Sequence, residues 1–211
     1  MKDMESFIDE LSARPCHRNC GLAQLFFTWM GGAALYIAAV LFLYLTPRPD
    51  LLGKLLSDRP FEIEILSLIA IIFSTALAAC AAAYPDAQQK RFVFFLPLLS
   101  FAIFIWTMFL AWLTSAPPPL PAWHEMNCTL CITLLSLPPA LFLAWQIRRM
   151  ASVRPRLAAV NALLAAFAIG ALALRLSEPT NSIPHLAQFH YLPMLAVAAI
   201  GVLIGQKLFR W

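Results

Sequence analysis

Ile65-Leu-Ser-Leu-Ile-Ala-Ile-Ile-Phe-Ser-Thr-Ala-Leu-Ala-Ala-Cys-Ala-Ala-Ala83 contains no charged residue. A helix of about 20 apolar residues spans the hydrocarbon core of a bilayer, whereas a barrel strand needs a shorter segment of alternating polarity. Five further stretches read the same way: 25–45, 92–113, 128–145, 157–174 and roughly 186–205. Of the 211 residues, 61% are hydrophobic and 12% charged. A soluble domain is nearer half apolar and a quarter charged, so little remains here to build a soluble core with a solvated surface. The expected fold is an all-α integral membrane protein. Residues 21–211 form a six-transmembrane-helix bundle, and residues 1–20 form a cytoplasmic N-terminal segment.

Charge sets the expected orientation. If both termini share a side, only Arg48, Lys54, Arg59 and Arg175 of the 15 basic residues lie on the other. Basic residues mark the cytoplasmic side, so both termini are expected there. The net charge of +4 then reflects topology, and no direct nucleic-acid partner is expected. No cleavable signal peptide is expected either, because the first twenty residues are polar and the first apolar run is long.

In the N-terminal segment, Met4, Phe7, Ile8 and Leu11 follow the i, i+3, i+4, i+7 spacing of an amphipathic helix. Asp3, Glu5, Asp9 and Glu10 occupy the other face, and Pro15 ends the pattern. The helix either lies on the lipid surface or docks a cytoplasmic partner. Its acidity weighs against lipid, because interfacial helices are rich in Lys and Arg. Cys16 and Cys20 read as ordinary cytoplasmic thiols. The first outer loop, 46–60, is expected to hold a short re-entrant or surface helix over Leu51, Leu52, Leu55 and Leu56. Gly201-Val-Leu-Ile-Gly205 lets helices approach closely. Packing within the bundle is the plain reading, and a homodimer contact through Gly201 and Gly205 is the alternative.

Candidate chemistry gathers at the start of the fourth span. His124, Cys128 and Cys131 are spaced i, i+4, i+7 and share a broad helix face. A Cys-x-x-Cys pair serves disulfide exchange, zinc binding, or only packing. Glu178, His185 and His190 fall in the expected last outer loop, 177–190, from which a fourth ligand could come. Thiolate and imidazole together favour soft or borderline metals such as zinc or cadmium, held transiently; no resident cofactor and no catalytic residue is expected. Pro138-Pro139 breaks the fourth span, as a fixed kink or a hinge. Glu62 and Glu64 enter the second span within reach of water. No charge is expected at mid-span, which disfavours ion-coupled transport. An enzymatic alternative is a DsbB-like thiol–disulfide oxidoreductase using Cys128 and Cys131, although such chemistry wants a second envelope-side cysteine pair.

The chain resembles the negative-regulator-of-sigma-F (NrsF-type) membrane proteins of bacteria. The resemblance rests on Arg48-Pro-Asp-Leu-Leu52 followed by Asp58-Arg-Pro-Phe61, on Cys128 leading to Leu134-Leu-Ser-Leu-Pro138, on Phe189-His190-Tyr-Leu-Pro193, and on Gln206-Lys-Leu-Phe-Arg-Trp211. It implies a regulatory protein of the inner membrane, not an enzyme. Such a protein holds an extracytoplasmic-function sigma factor at the inner membrane and releases it under heavy-metal or oxidative stress; in this chain the N-terminal helix of Met4, Phe7, Ile8 and Leu11, with Asp9 and Glu10, is the expected contact. Cys128 matches the family cysteine at the outer end of the fourth span. The second family cysteine belongs in the last outer loop, where this chain reads Ser177-Glu-Pro-Thr-Asn-Ser182, with Glu178 at or near its place. A disulfide between the two outer loops is therefore impossible here.

Overall fold

A computed structural model describes residues 21–84, 86–113, 126–150 and 152–209. Helix α1 is Leu22–Leu43, α2 Leu51–Ser57, α3 Arg59–Ala83, α4 Leu96–Leu113, α5 Met126–Arg148, α6 Pro155–Ser177 and α7 Pro193–Phe209. Tight turns Asp86–Gln89 and Arg91–Phe94 precede α4; a helical turn Ile183–His185 and a wide turn Leu186–Tyr191 lead into α7. Six of these segments are long and apolar enough to cross a membrane: α1, α3, Arg91–Leu113, α5, α6 and Ile183–Phe209. The second begins earlier than expected. The Asp58 side chain caps it by accepting from Phe61 N–H at 3.3 Å, and Pro60 sits in the first turn, where its missing N–H costs little.

Helix α6 is the axis of the fold. Between Ala158 and Arg175 every residue except Val160 and Leu163 is buried. A helix apolar on all sides can be covered on all sides, and the many alanines let its neighbours come close. It packs against α7, α3 and α5 and touches α1, while α4 leans on α3. The outward faces of α1, α4, α5 and α7 carry exposed large apolar side chains, among them Phe42, Trp106, Leu134 and Leu203. In α2, Leu51 and Leu55 pack against the core while Leu52 and Leu56 stay exposed, so the short helix expected here forms with half its leucines turned inward.

The glycines of α7 face α6. A Cβ on Gly201 would stand 2.7 Å from Val160 Cα, and one on Gly205 would stand 2.8 Å from Arg156 Cα. Both are spent on packing within the chain, which corrects the homodimer reading: a second copy cannot use a face already filled by α6. On the other side of α6, a Cβ on Gly170 would lie 2.6 Å from the Ile132 carbonyl of α5.

Helix α5 runs unbroken through Pro138 and Pro139, where a break was expected. Pro139 has no N–H for the carbonyl of Leu135, four residues back. The Tyr36 hydroxyl of α1 donates to that carbonyl at 2.8 Å. Trp29 Nε1, fully buried, reaches the Pro139 carbonyl at 3.5 Å. The Tyr36 side chain thus replaces the donor that Pro139 removes.

A buried ion pair ties three elements together. Arg175 near the end of α6 donates from Nε to Glu64 Oε1 at 2.9 Å and from Nη2 to Oε2 at 3.1 Å. The side chains are 3% and 5% exposed. The Tyr191 hydroxyl donates to the same carboxylate, and Arg175 Nη1 donates to the Thr180 carbonyl at 2.7 Å. Glu64 is therefore enclosed and paired, contrary to the expectation that it reaches water. Glu62 instead pairs at the surface with Arg59 at 2.8 Å. The last outer loop is also shorter than expected: His185 and His190 lie on helical turns. Met4, Phe7, Ile8, Asp9, Glu10, Leu11 and His124 lie outside the described residues.

Two outcomes are expected in thermal unfolding of detergent-solubilised protein. Gly201→Val and Gly205→Val overpack the α6–α7 seam and cost about 1–3 kcal/mol each, whereas Gly31→Ala, with open space around its Cβ, costs less than 1 kcal/mol or so. Arg175→Met leaves Glu64 buried without its cation and costs about 3–5 kcal/mol. The double variant Arg175→Met/Glu64→Leu loses clearly less than the sum of the two single changes, because neither charge is left stranded.

Candidate functional site

The site forms where α6 ends. Glu178 follows the last residue of α6 and caps it in extended conformation. The chain then passes Thr180 and re-enters a helix at Ile183. Pro193 lies four residues beyond Phe189, so the Phe189 carbonyl has no α-helical donor. The chain responds with a wide turn in which Leu192 N–H donates to the Ala187 carbonyl, five residues back, at 2.9 Å. The Thr129 hydroxyl of α5 donates to the orphaned Phe189 carbonyl at 2.6 Å.

That wide turn decides the chemistry. In a regular α-helix residues five apart point about 140° away from each other. A turn closed by i→i+5 bonds brings them to neighbouring directions instead. His185 and His190 are five apart, and their rings meet edge to face with centroids 5.3 Å apart. Both aim at Glu178. His190 Nε2 stands 3.3 Å from Oε2, and His185 Nε2 stands 3.9 Å from Oε1. From the first turn of α5, Cys128 Sγ approaches the same carboxylate, 3.8 Å from Oε1 and 4.0 Å from Oε2. One ligand-type atom from each of Cys128, Glu178, His185 and His190 lies within 4.8 Å of every other.

Burial pushes the Glu178 carboxyl up. The contact from His190, the hydroxyl of Thr180 at 2.9 Å, and the charges of His190 and His185 outweigh it and hold it down at about 2. Glu178 is thus an anion at any physiological pH. Two arginines fix the backbone on either side of its side chain. Arg48 Nη1 donates to the Glu178 carbonyl at 3.3 Å, its own N–H donates to the Leu176 carbonyl at 3.0 Å, and its Nε holds Asp50 at 2.7 Å. Arg175 holds the Thr180 carbonyl. The guanidinium carbons of Arg48 and Arg175 lie 5.3 and 4.7 Å from the centroid of the buried Phe61 ring, a cation–π arrangement worth about 0.5–2 kcal/mol each.

Of the sequence candidates, the structure brings together Cys128, Glu178, His185 and His190. Cys131 stands apart as an exposed free thiol. It lies about 60° around the α5 axis from Cys128, and the seam facing the wide turn is narrower than the face the spacing describes. Sequence reasoning assigned no site role to Arg48, Glu64, Arg175, Thr129, Thr180 or Tyr191, reading Glu64 as water-accessible and the arginines only as markers of orientation. One signal was available: an isolated arginine and an isolated glutamate at the same end of two apolar helices are expensive unless paired.

The family model described as "Negative regulator of sigma F" matches residues 12–211. A protein of Azospira oryzae named "Probable anti-sigma-F factor NrsF" is 36% identical over 85 residues, an alignment that spans 40% of this chain and 40% of that relative. No solved structure matches. With the family model covering nearly the whole length, the chain belongs to the negative-regulator-of-sigma-F family.

Proposed function

We propose that the chain is a multi-pass protein of the bacterial inner membrane that sequesters an extracytoplasmic-function sigma factor. It releases that factor when metal or oxidative stress reaches the cluster around Cys128. The carrying observation is the family match over residues 12–211, with the anti-sigma name of the Azospira oryzae relative beside it. The physical character of the chain supports the membrane part. Exposed Phe, Trp and Leu on the outward faces of α1, α4, α5 and α7 would form an apolar patch far larger than a soluble monomer tolerates. Lipid is the solvent that suits them.

Charge orients the bundle. Arg148, Arg154, Arg156 and Lys207 stand at the end of α5, α6 and α7 remote from Glu178. By the positive-inside bias that end is cytoplasmic, and Cys128, Glu178, His185 and His190 face the envelope. Residues 1–20 then share a compartment with the transcription machinery. Met4, Phe7, Ile8 and Leu11 would enter a groove of the sigma factor as helix anchors, with Asp9 and Glu10 meeting basic residues at the rim. The role is regulatory, not catalytic.

Two measurements test this reading. In a co-purification with the sigma factor identified by mass spectrometry, Phe7→Asp/Leu11→Asp is expected to lose the complex, because a buried anchor is worth about 2 kcal/mol or more; promoters that depend on that sigma factor rise in parallel. Retention of the complex by this variant and by a chain lacking residues 1–20 would defeat the docking assignment. A membrane-impermeant maleimide applied to spheroplasts is expected to label Cys131 without lysis. Labelling only after lysis would invert the topology.

A further inference from the structure

We infer that Cys128, Glu178, His185 and His190 form a four-ligand site for a single divalent cation of the zinc and cadmium class. This deepens the sensing reading, and in that sense rests on it. It names the ligand as a coordinated metal ion and the event as coordination, with no oxidation of the thiol.

The donor set comes first. One thiolate, one carboxylate and two imidazoles are four different side chains with the spacing of one coordination sphere. Bonds of about 2.0–2.3 Å in a tetrahedron put ligand atoms about 3.3–3.8 Å apart. The contacts to the Glu178 carboxylate span 3.3 to 4.0 Å. The widest pair in the group, at up to 4.8 Å, closes with side-chain shifts of about 1 Å, given the bond lengths above. Oxygen-loving Mg²⁺ and Ca²⁺ do not suit two imidazoles and a thiolate, and a purely thiophilic ion such as Cu⁺ prefers more sulfur; Zn²⁺, Co²⁺ and Cd²⁺ accept the mixture.

His190 is the second, independent observation. Its side chain is fully buried, and neither ring nitrogen makes a hydrogen bond among the described residues. Nε2 comes to 3.3 Å from Glu178 Oε2 as an electrostatic contact, without hydrogen-bond alignment. Buried polar atoms are nearly always satisfied, and a buried imidazole that meets a carboxylate at ion-pair distance with neither nitrogen hydrogen-bonded is arranged for a shared cation. The surroundings are built for the same task. Thr180 orients Glu178 by a 2.9 Å hydrogen bond, Arg48 and Arg175 pin the carbonyls of Glu178 and Thr180, and Thr129 pins the wide turn that carries His190 and follows directly on His185. Groups behind the ligands that fix their orientation are characteristic of metal centres.

Full-length protein in detergent, reduced and titrated with Co²⁺, provides the test. The expected result is one Co²⁺ per chain, with the intense d–d bands of tetrahedral cobalt and a thiolate-to-cobalt charge-transfer band, all bleached by Zn²⁺ or Cd²⁺. Cys128→Ser abolishes the charge-transfer band. Glu178→Gln and His185→Gln weaken binding by about tenfold to a hundredfold or more, since even partners behind ligands contribute that much. Cys131→Ser changes nothing. An unaltered spectrum in Cys128→Ser, or loss of the band in Cys131→Ser, overturns the site. A second measurement needs no variant: saturating Cd²⁺ is expected to protect Cys128 of the wild type from alkylation while Cys131 stays reactive. Equal alkylation of Cys128 with and without Cd²⁺ also overturns it. Neither readout involves a sigma factor, so failure here leaves the anti-sigma reading standing, and failure to capture a sigma factor leaves the site standing.

Discussion

An arginine inside an apolar bundle has to find an anion, and Arg175 finds Glu64. Removing either charge from water costs several kcal/mol after all relaxation, so the pair forms only with close geometry and every remaining donor used. Arg175 meets that condition with a two-pronged grip on Glu64 and a third bond to the Thr180 carbonyl. Tyr191 completes the carboxylate. The consequences spread outward. The end of α6 is locked to α3, the loop after α6 is drawn back over its own helix end, and the wide turn before α7 is held beside both. Arg48 repeats the arrangement one layer further out, with Asp50 as its anion and the Glu178 carbonyl as its second acceptor. Phe61 lies under both guanidiniums. The cluster of Cys128, Glu178, His185 and His190 sits on this base.

Proline and hydroxyl residues carry the second theme. In an apolar surrounding an orphaned carbonyl is costly, and neighbouring helices must answer it. Pro139 orphans the Leu135 carbonyl, and Tyr36 supplies the proton; Pro193 orphans the Phe189 carbonyl, and Thr129 supplies it. Each substitution of a side-chain donor for a backbone one also fixes how two helices sit against each other. The prolines that look like weak points in the sequence are therefore attachment points in the fold.

The six long helices were legible because their signal is additive: about twenty apolar residues in a row need no partner to be recognised. Cys128, Glu178, His185 and His190 were legible as residue types but not as an arrangement. The reason lies in the wide turn. A five-residue spacing fits no α-helical face, so His185 and His190 read as loop residues until Pro193 and Thr129 are seen to change the local pitch. Cys131 erred the other way, since regular spacing placed it near Cys128 but could not say how wide the packed seam is. Glu64 looked wet because it is near a helix end; its burial depends on Arg175, more than a hundred residues away, and no local pattern reports that.

A signal that started at Cys128, as proposed, would have two structural routes to the far end of the bundle, and their physics differ. Along α5 it meets Pro138 and Pro139, where backbone bonds are missing and Tyr36 holds the Leu135 carbonyl from outside; bending there must break that one hydrogen bond, worth about 1 kcal/mol net. Along α6 and α7 it meets Gly201 on Val160 and Gly205 on Arg156, contacts of backbone on backbone with no side chain between them to absorb a shift. Close-packed seams of this kind move as units or not at all. A ligand at the outer cluster can move either element only by the difference in its affinity for the two arrangements, and a change from mostly closed to mostly open requires about 5.5 kcal/mol of such difference. A contact that forms with one side chain alone falls short of that. Four ligands drawn from α5, from the loop after α6 and from the turns before α7 would couple the three elements, because each must be in register before the last bond can close.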